Sequence, residues 1–178
     1  MPSAMPSAVP RAAVRRMNML DVARHFPRAS FDGLYCIGNT LVHLEDAAMI
    51  GRALAAFREV AKPSGRLVVQ ILDYAHILAT RPDSLPRISN EHVDFVRRYR
   101  YLDRLEGVRI EFATTLTVDP HGEREVFTGS EILYPLTLSE LESLLDDAGF
   151  RVIDRFGSYA EEPYRPGAPT LIVVAEAV

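Results

Sequence analysis

The chain has a single cysteine, Cys36, in 178 residues. That excludes an intrachain disulfide and makes a reducing, cytoplasmic setting the expectation. No apolar run approaches the roughly 20 residues that a membrane-spanning helix needs. Met1 to Pro10 has proline and serine where a secretory signal would have its apolar stretch. A basic excess is missing too: 20 Lys and Arg stand against 24 Asp and Glu, a formal net charge of −4. This argues against a surface built to coat nucleic acid. His, Cys and carboxylates do not recur at metal-ligand spacing, and no catalytic triad is evident. Neither nucleic acid, membrane nor metal is therefore expected as a partner.

Hydrophobic residues make up 48% of the chain and charged residues 25%, enough apolar material for one domain with a substantial core. The proline-rich start, residues 1–11, is expected to be disordered or loosely packed. Residues 12–19 (AAVRRMNM) are read as a short strand, followed by a polar turn at 21–30. FDGLYCI, Phe31 to Ile37, reads as a buried strand that ends at Gly38 and Asn39. Ile50, Ala53, Leu54, Phe57, Val60 and Ala61 recur at helical spacing, predicting a helix over 46–62 that Pro63, Ser64 and Gly65 stop. Arg66 to Leu72 is a near-continuous apolar strand. Strand, helix and strand with short joints make a parallel crossover unit.

After Tyr74 the pattern changes. A helical turn, 74–80, leads into a loop with Pro82 and Pro86. Three stretches of period-2 character follow, at 93–102, 108–118 and 124–134, with turn chemistry at 103–107 and 119–123. They predict an antiparallel β-meander inserted into the α/β framework. Thr137 and Glu140 then form a capping box. Leu138, Leu141, Leu144, Leu145 and Ala148 mark the buried stripe of a second helix, with Gly149 as its stop. Strands over 150–156 and 171–178 complete the chain.

The order and wording of four segments resemble the class I S-adenosylmethionine-dependent methyltransferases. FDGLYCIGNTLVHL, Phe31 to Leu44, is similar to that family's fourth strand and the loop after it. KPSGRLVVQIL, Lys62 to Leu72, resembles the joint into the fifth strand. LSELESLLDDAGFRVIDRFG, Leu138 to Gly157, resembles the last helix and sixth strand, and PTLIVVAEA, Pro169 to Ala177, the seventh. The resemblance implies α/β architecture: a partial Rossmann-like methyltransferase sheet, from the third strand onward, with the meander of residues 75–136 inserted on the substrate side. Residues 12–178 would be the C-terminal portion of such a domain. Gly38, Asn39, Thr40, His43 and Leu44 match the loop of the glycine and sarcosine N-methyltransferases. Those enzymes hold the substrate carboxylate with an arginine at the position of Leu72. Leucine has no guanidinium fork, so glycine is not the expected acceptor here.

The same resemblance implies a glycine loop, Asp/Glu-x-Gly-x-Gly, and a ribose-binding carboxylate upstream. The thirty residues before Phe31 contain no glycine. The expectation is a chain start lying inside a longer gene, or a separate N-terminal half supplied by a partner. An exposed sheet edge would follow, and with it homodimerisation or poor solubility.

Site residues carry over from the resemblance by position. Asn18, Met19 and Leu20 match the adenine-contacting residues. Cys36, Ile37, Gly38 and Leu41 would line the methionine portion of S-adenosylmethionine. Asn39, His43, Tyr74, Arg98 and Tyr99 would border a small-molecule methyl acceptor. In the run Arg97 to Tyr101, strand alternation puts Arg98 and Arg100 on one face and Tyr99 and Tyr101 on the other. A Cys36–His43 nucleophilic pair lacks an orienting partner. The function implied is methyl transfer from S-adenosylmethionine to a small molecule, at an amine nitrogen. The rivals are a truncated remnant or interaction module that keeps the fold without the cofactor, and a nucleotide-dependent oxidoreductase, which the GNTLVHL loop disfavours.

Overall fold

The computed structural model describes residues 12–119 and 124–178. The expected loose packing of residues 1–11 and most of the expected turn at 119–123 fall outside them. Residues 12–18 form no regular element. This corrects the strand expected at 12–19: no neighbouring strand pairs with the segment, and Asn18 instead starts a helical turn. Its Oδ1 accepts from the Leu20 amide at 3.0 Å, capping a 3₁₀ turn over Met19–Asp21 that runs into the short helix α1, Val22–His25.

Strand β1 covers Phe31–Cys36. Helix α2, Ala47–Val60, follows, with Asp46 as N-cap accepting from the Met49 amide at 2.7 Å. Its buried stripe of Ile50, Ala53, Leu54, Phe57 and Val60 has the predicted spacing. The helix stops at Val60, and strand β2, Ala61–Ile71, starts directly after it. Helix α3 spans Tyr74–Thr80. The meander is a separate antiparallel sheet of β3, Ile88–Ser89, β4, Val93–Arg104, β5, Gly107–Val118, and β6, Glu125–Leu133. Helix α4, Leu138–Asp147, and strands β7, Phe150–Phe156, and β8, Leu171–Ala177, return the chain to the first sheet.

That first sheet has the order β1-β2-β8-β7. β1 and β2 are parallel, with Cys36 opposite Val69, and β8 runs antiparallel to both β2 and β7. The sheet therefore begins at the strand that the resemblance places fourth; among the described residues the third is not formed. One face carries Leu67, Val69, Ile71, Leu171, Val173 and Ala175, all fully buried with residues of α2 and α4. On the other face Gln70 and Ile172 are buried, while the part toward β1 is open. Tyr35 is 78% exposed there, above a shallow groove lined by Arg66, Val68, Phe156 and Val174. Among the described residues β1 pairs only with β2, so its outer edge is open.

Thr137 caps α4 by accepting from the Glu140 amide at 3.4 Å. Glu140 does not complete the capping box. Its carboxylate accepts instead from the Tyr134 hydroxyl, which fixes the path from β6 into α4. Gly149 takes φ +83°, the left-handed stop that glycine adopts without steric cost.

Candidate functional site

The site is built where β1 and β2 end side by side. Gly38 at φ +75° and Asn39 at φ +63° turn the chain away from the sheet. Asparagine tolerates this left-handed geometry better than most residues. The turn is braced from β2. Gln70, 7% exposed, accepts from the Gly38 amide at 2.7 Å and donates to Thr170 Oγ1 at 2.7 Å. This ties the mouth of β1 to the start of β8. Asn39 then spans two elements: its Oδ1 accepts from the Leu72 amide at 3.1 Å, and its Nδ2 donates to the Tyr74 hydroxyl at 2.8 Å. Thr40 Oγ1 donates to the Ile37 carbonyl at 2.6 Å, and a 3₁₀ turn, Leu41–His43, follows.

The meander closes over this mouth. Strand register sets Tyr99 of β4, Phe112 of β5 and Glu131 of β6 side by side on one face. The Tyr99 and Phe112 rings lie 5.7 Å apart. Tyr99 is 6% exposed and its hydroxyl has no hydrogen-bond partner. Burial pushes its pKa up to about 12, with Tyr101 adding to the rise and Arg97 opposing it. Tyr74 is raised further, by burial first and also by the nearby Tyr99. Both phenols stay protonated near neutral pH, as hydrogen-bond donors. The backbone of β6 holds the 3₁₀ turn in place, the Tyr134 amide donating to the Val42 carbonyl at 2.8 Å. That contact presents His43 to Glu131, Nδ1 to Oε2 2.5 Å. The pair opens on a cavity of about 320 Å³ lined by His43, Phe112, Thr114, Gly129, Ser130 and Glu131.

Five expected residues thus gather in one region: Gly38, Asn39 and Tyr74 through direct bonds, and Tyr99 and His43 through Phe112 and Glu131. Ile37, 46% exposed, and the exposed Gly38 form an open wall, with Cys36 and Leu41 buried behind it. The Cys36 thiol is pushed up to about 11 by burial, against a lowering contact from the Leu41 backbone, so it is no nucleophile at neutral pH. Arg98 is not brought to the site. Pairing with Ala113 places it on the opposite face from Tyr99, in a surface groove with Ser84, Leu85 and Arg87. Asn18 is exposed and its Oδ1 is engaged by the Leu20 amide. Met19 and Leu20 pack half-buried against the core.

Sequence reasoning missed Gln70, Asp73, Phe112 and Glu131. Gln70 left a signal, being the one polar residue inside the apolar run RLVVQIL. Asp73, 4% exposed, accepts from the Tyr164 hydroxyl at 3.0 Å and the Gly167 amide at 2.8 Å, which draws the β7–β8 loop against α3. Among the described residues, no group of three or more His, Cys, Asp or Glu could hold a metal ion, and no helix is long and apolar enough to cross a membrane.

No protein-family model matches the sequence, and no curated protein matches it significantly. Solved structures do match. A S-adenosylmethionine-dependent methyltransferase from Clostridium acetobutylicum superposes with a TM-score of 0.74 at 11% identity, over 88% of this chain and 62% of that one. The chain has a class I methyltransferase fold. The CcbJ methyltransferase from Streptomyces caelestis follows at TM-score 0.67 and 14% identity, over 84% of this chain and 61% of its own. The sugar N-methyltransferase KedS8 from a Streptoalloteichus species gives 0.59 at 17% identity, over 89% and 60%. The chain therefore spans about three fifths of the methyltransferases it resembles.

Proposed function

We propose that this chain is the acceptor-side portion of a S-adenosylmethionine-dependent methyltransferase acting on a small molecule at an amine nitrogen. The observation that carries it is the buried Tyr99 hydroxyl without a partner. It lies beside the Asn39–Tyr74 pair, where the methyltransferase sheet opens. A buried polar group left unpaired costs about 1–3 kcal/mol, so a ligand atom is the natural partner for it. The nitrogen acceptor draws support from solved structures of the same fold, one a sugar N-methyltransferase.

The cofactor would supply an electrophilic methyl group. Ile37 and Gly38 offer a wall for its methionine portion, with Cys36 and Leu41 behind them. The fit is partial: the Gly38 amide is already taken by Gln70, and no second wall stands among the described residues. Asn39, Tyr74 and Tyr99 orient the acceptor, and the meander excludes water. Holding nucleophile and methyl carbon in line is the main source of rate in such a displacement. The test joins the chain to a segment bearing a methyltransferase glycine loop and follows transfer of labelled methyl from saturating S-adenosylmethionine to a panel of small amines, alcohols and carboxylates. Label on amines, falling at least about tenfold in Tyr99→Phe, supports the proposal. Label on oxygen acceptors alone, or on none while the cofactor is bound, overturns it.

A further inference from the structure

The cavity beside the site has an uneven charge. Of its six lining residues only Glu131 carries a fixed charge, and Phe112 offers an aromatic face beside it. Arg100 is engaged with Glu111 on the opposite face of the sheet, and Arg97, on the same face as Phe112 and Thr114, donates to the Pro86 carbonyl at 2.6 Å and stacks on Phe95. A carboxylate next to an aromatic ring, with no competing cation in the lining, favours a positively charged guest.

Glu131 also governs His43. The Nδ1 to Oε2 distance of 2.5 Å means that the neutral ring carries its proton on Nδ1 and donates it to the carboxylate. Nε2 is then left unprotonated, an acceptor. A histidine whose one nitrogen is fixed by a carboxylate has its tautomer and ring direction set.

We propose that Glu131 is a positioning residue that sets His43 to receive a proton from a primary or secondary ammonium ion admitted to this cavity. The guest arrives as R–NH₃⁺. One N–H bond breaks as Nε2–H forms, giving a neutral amine and a His43 imidazolium paired with Glu131. Charge and protons balance, and nothing is oxidised or reduced. The neutral amine is the form with a free lone pair. This deepens the function proposed above and rests on it for the fate of that amine. Cation capture itself requires no cofactor, so the two can fail separately.

The test uses the whole chain labelled with ¹⁵N-histidine and no cofactor. His43→Gln identifies the His43 signals among the five histidines. In the parent, the His43 ring should show the Nδ1–H tautomer. Methylammonium chloride should shift its Nε2 resonance saturably, and sodium acetate should not. In Glu131→Gln the amide oxygen still accepts from Nδ1, so the tautomer persists while methylammonium binding weakens about threefold. In Glu131→Ala both are lost. An Nε2–H tautomer in the parent, no saturable shift with methylammonium, or the same response in Glu131→Ala overturns the inference.

Discussion

Asn39 carries more of the site's geometry than any other side chain. Its backbone takes the left-handed turn, and its amide joins β2 to α3 through Leu72 and Tyr74. Asn39→Ala removes both bonds and places a Cβ-bearing residue without a compensating side chain at positive φ. The expected loss is about 2–4 kcal/mol, read as a lower urea midpoint. Asn39→Gly keeps the backbone freedom and should fall between parent and alanine variant; equal midpoints for all three would refute the bridging role. Cys36 supplies a second check at this scale. Its pKa of about 11 lies above its ordinary value because burial disfavours the thiolate. The thiol is protonated across the neutral and mildly alkaline range, so an aromatic disulfide reagent at pH 8 should leave it untouched until denaturant is added. Rapid labelling of the native chain would show that the end of β1 is open.

Elements were legible where a side-chain period was strong. The α2 stripe, the α3 turn and strand β7 stand where spacing put them, because burial of an apolar face is what forms them. The segment 12–19 failed because strand formation needs a neighbour to bond with, and none is there. Arg98 and Glu131 show the same limit within the site. Alternation along β4 correctly put Arg98 and Tyr99 on opposite faces, but which face meets the mouth of β1 depends on how the meander folds back. Glu131 lies 88 residues from His43, and only the register of three strands brings them together. At the scale of α4, Thr137 is the cap that position and spacing announced. Thr137→Ala should cost about 1 kcal/mol, a lower midpoint in urea with unchanged slope, while Ser139→Ala on the exposed side of the same turn should leave it within error.

Among the described residues, one face of the first sheet is packed, the other is open toward β1, and β1 presents an unpaired edge beside Tyr35. Unpaired strand edges next to apolar surface pair with other chains. The sedimentation coefficient of the chain should therefore rise with concentration. Tyr35→Lys, which sets a charge on that face, should suppress the rise; a clean monomer at every concentration would show that the edge is covered. The single wall also sets what the described residues can do with a cofactor. The most direct measurement is calorimetric titration with S-adenosylhomocysteine, of the chain alone and of the chain joined to a segment bearing a methyltransferase glycine loop. One wall formed by Ile37 and Gly38 predicts no saturable heat for the chain alone and binding of one molecule per chain once the segment is joined. Tight binding by the chain alone, or none in either case, would contradict an acceptor-side portion of a methyltransferase.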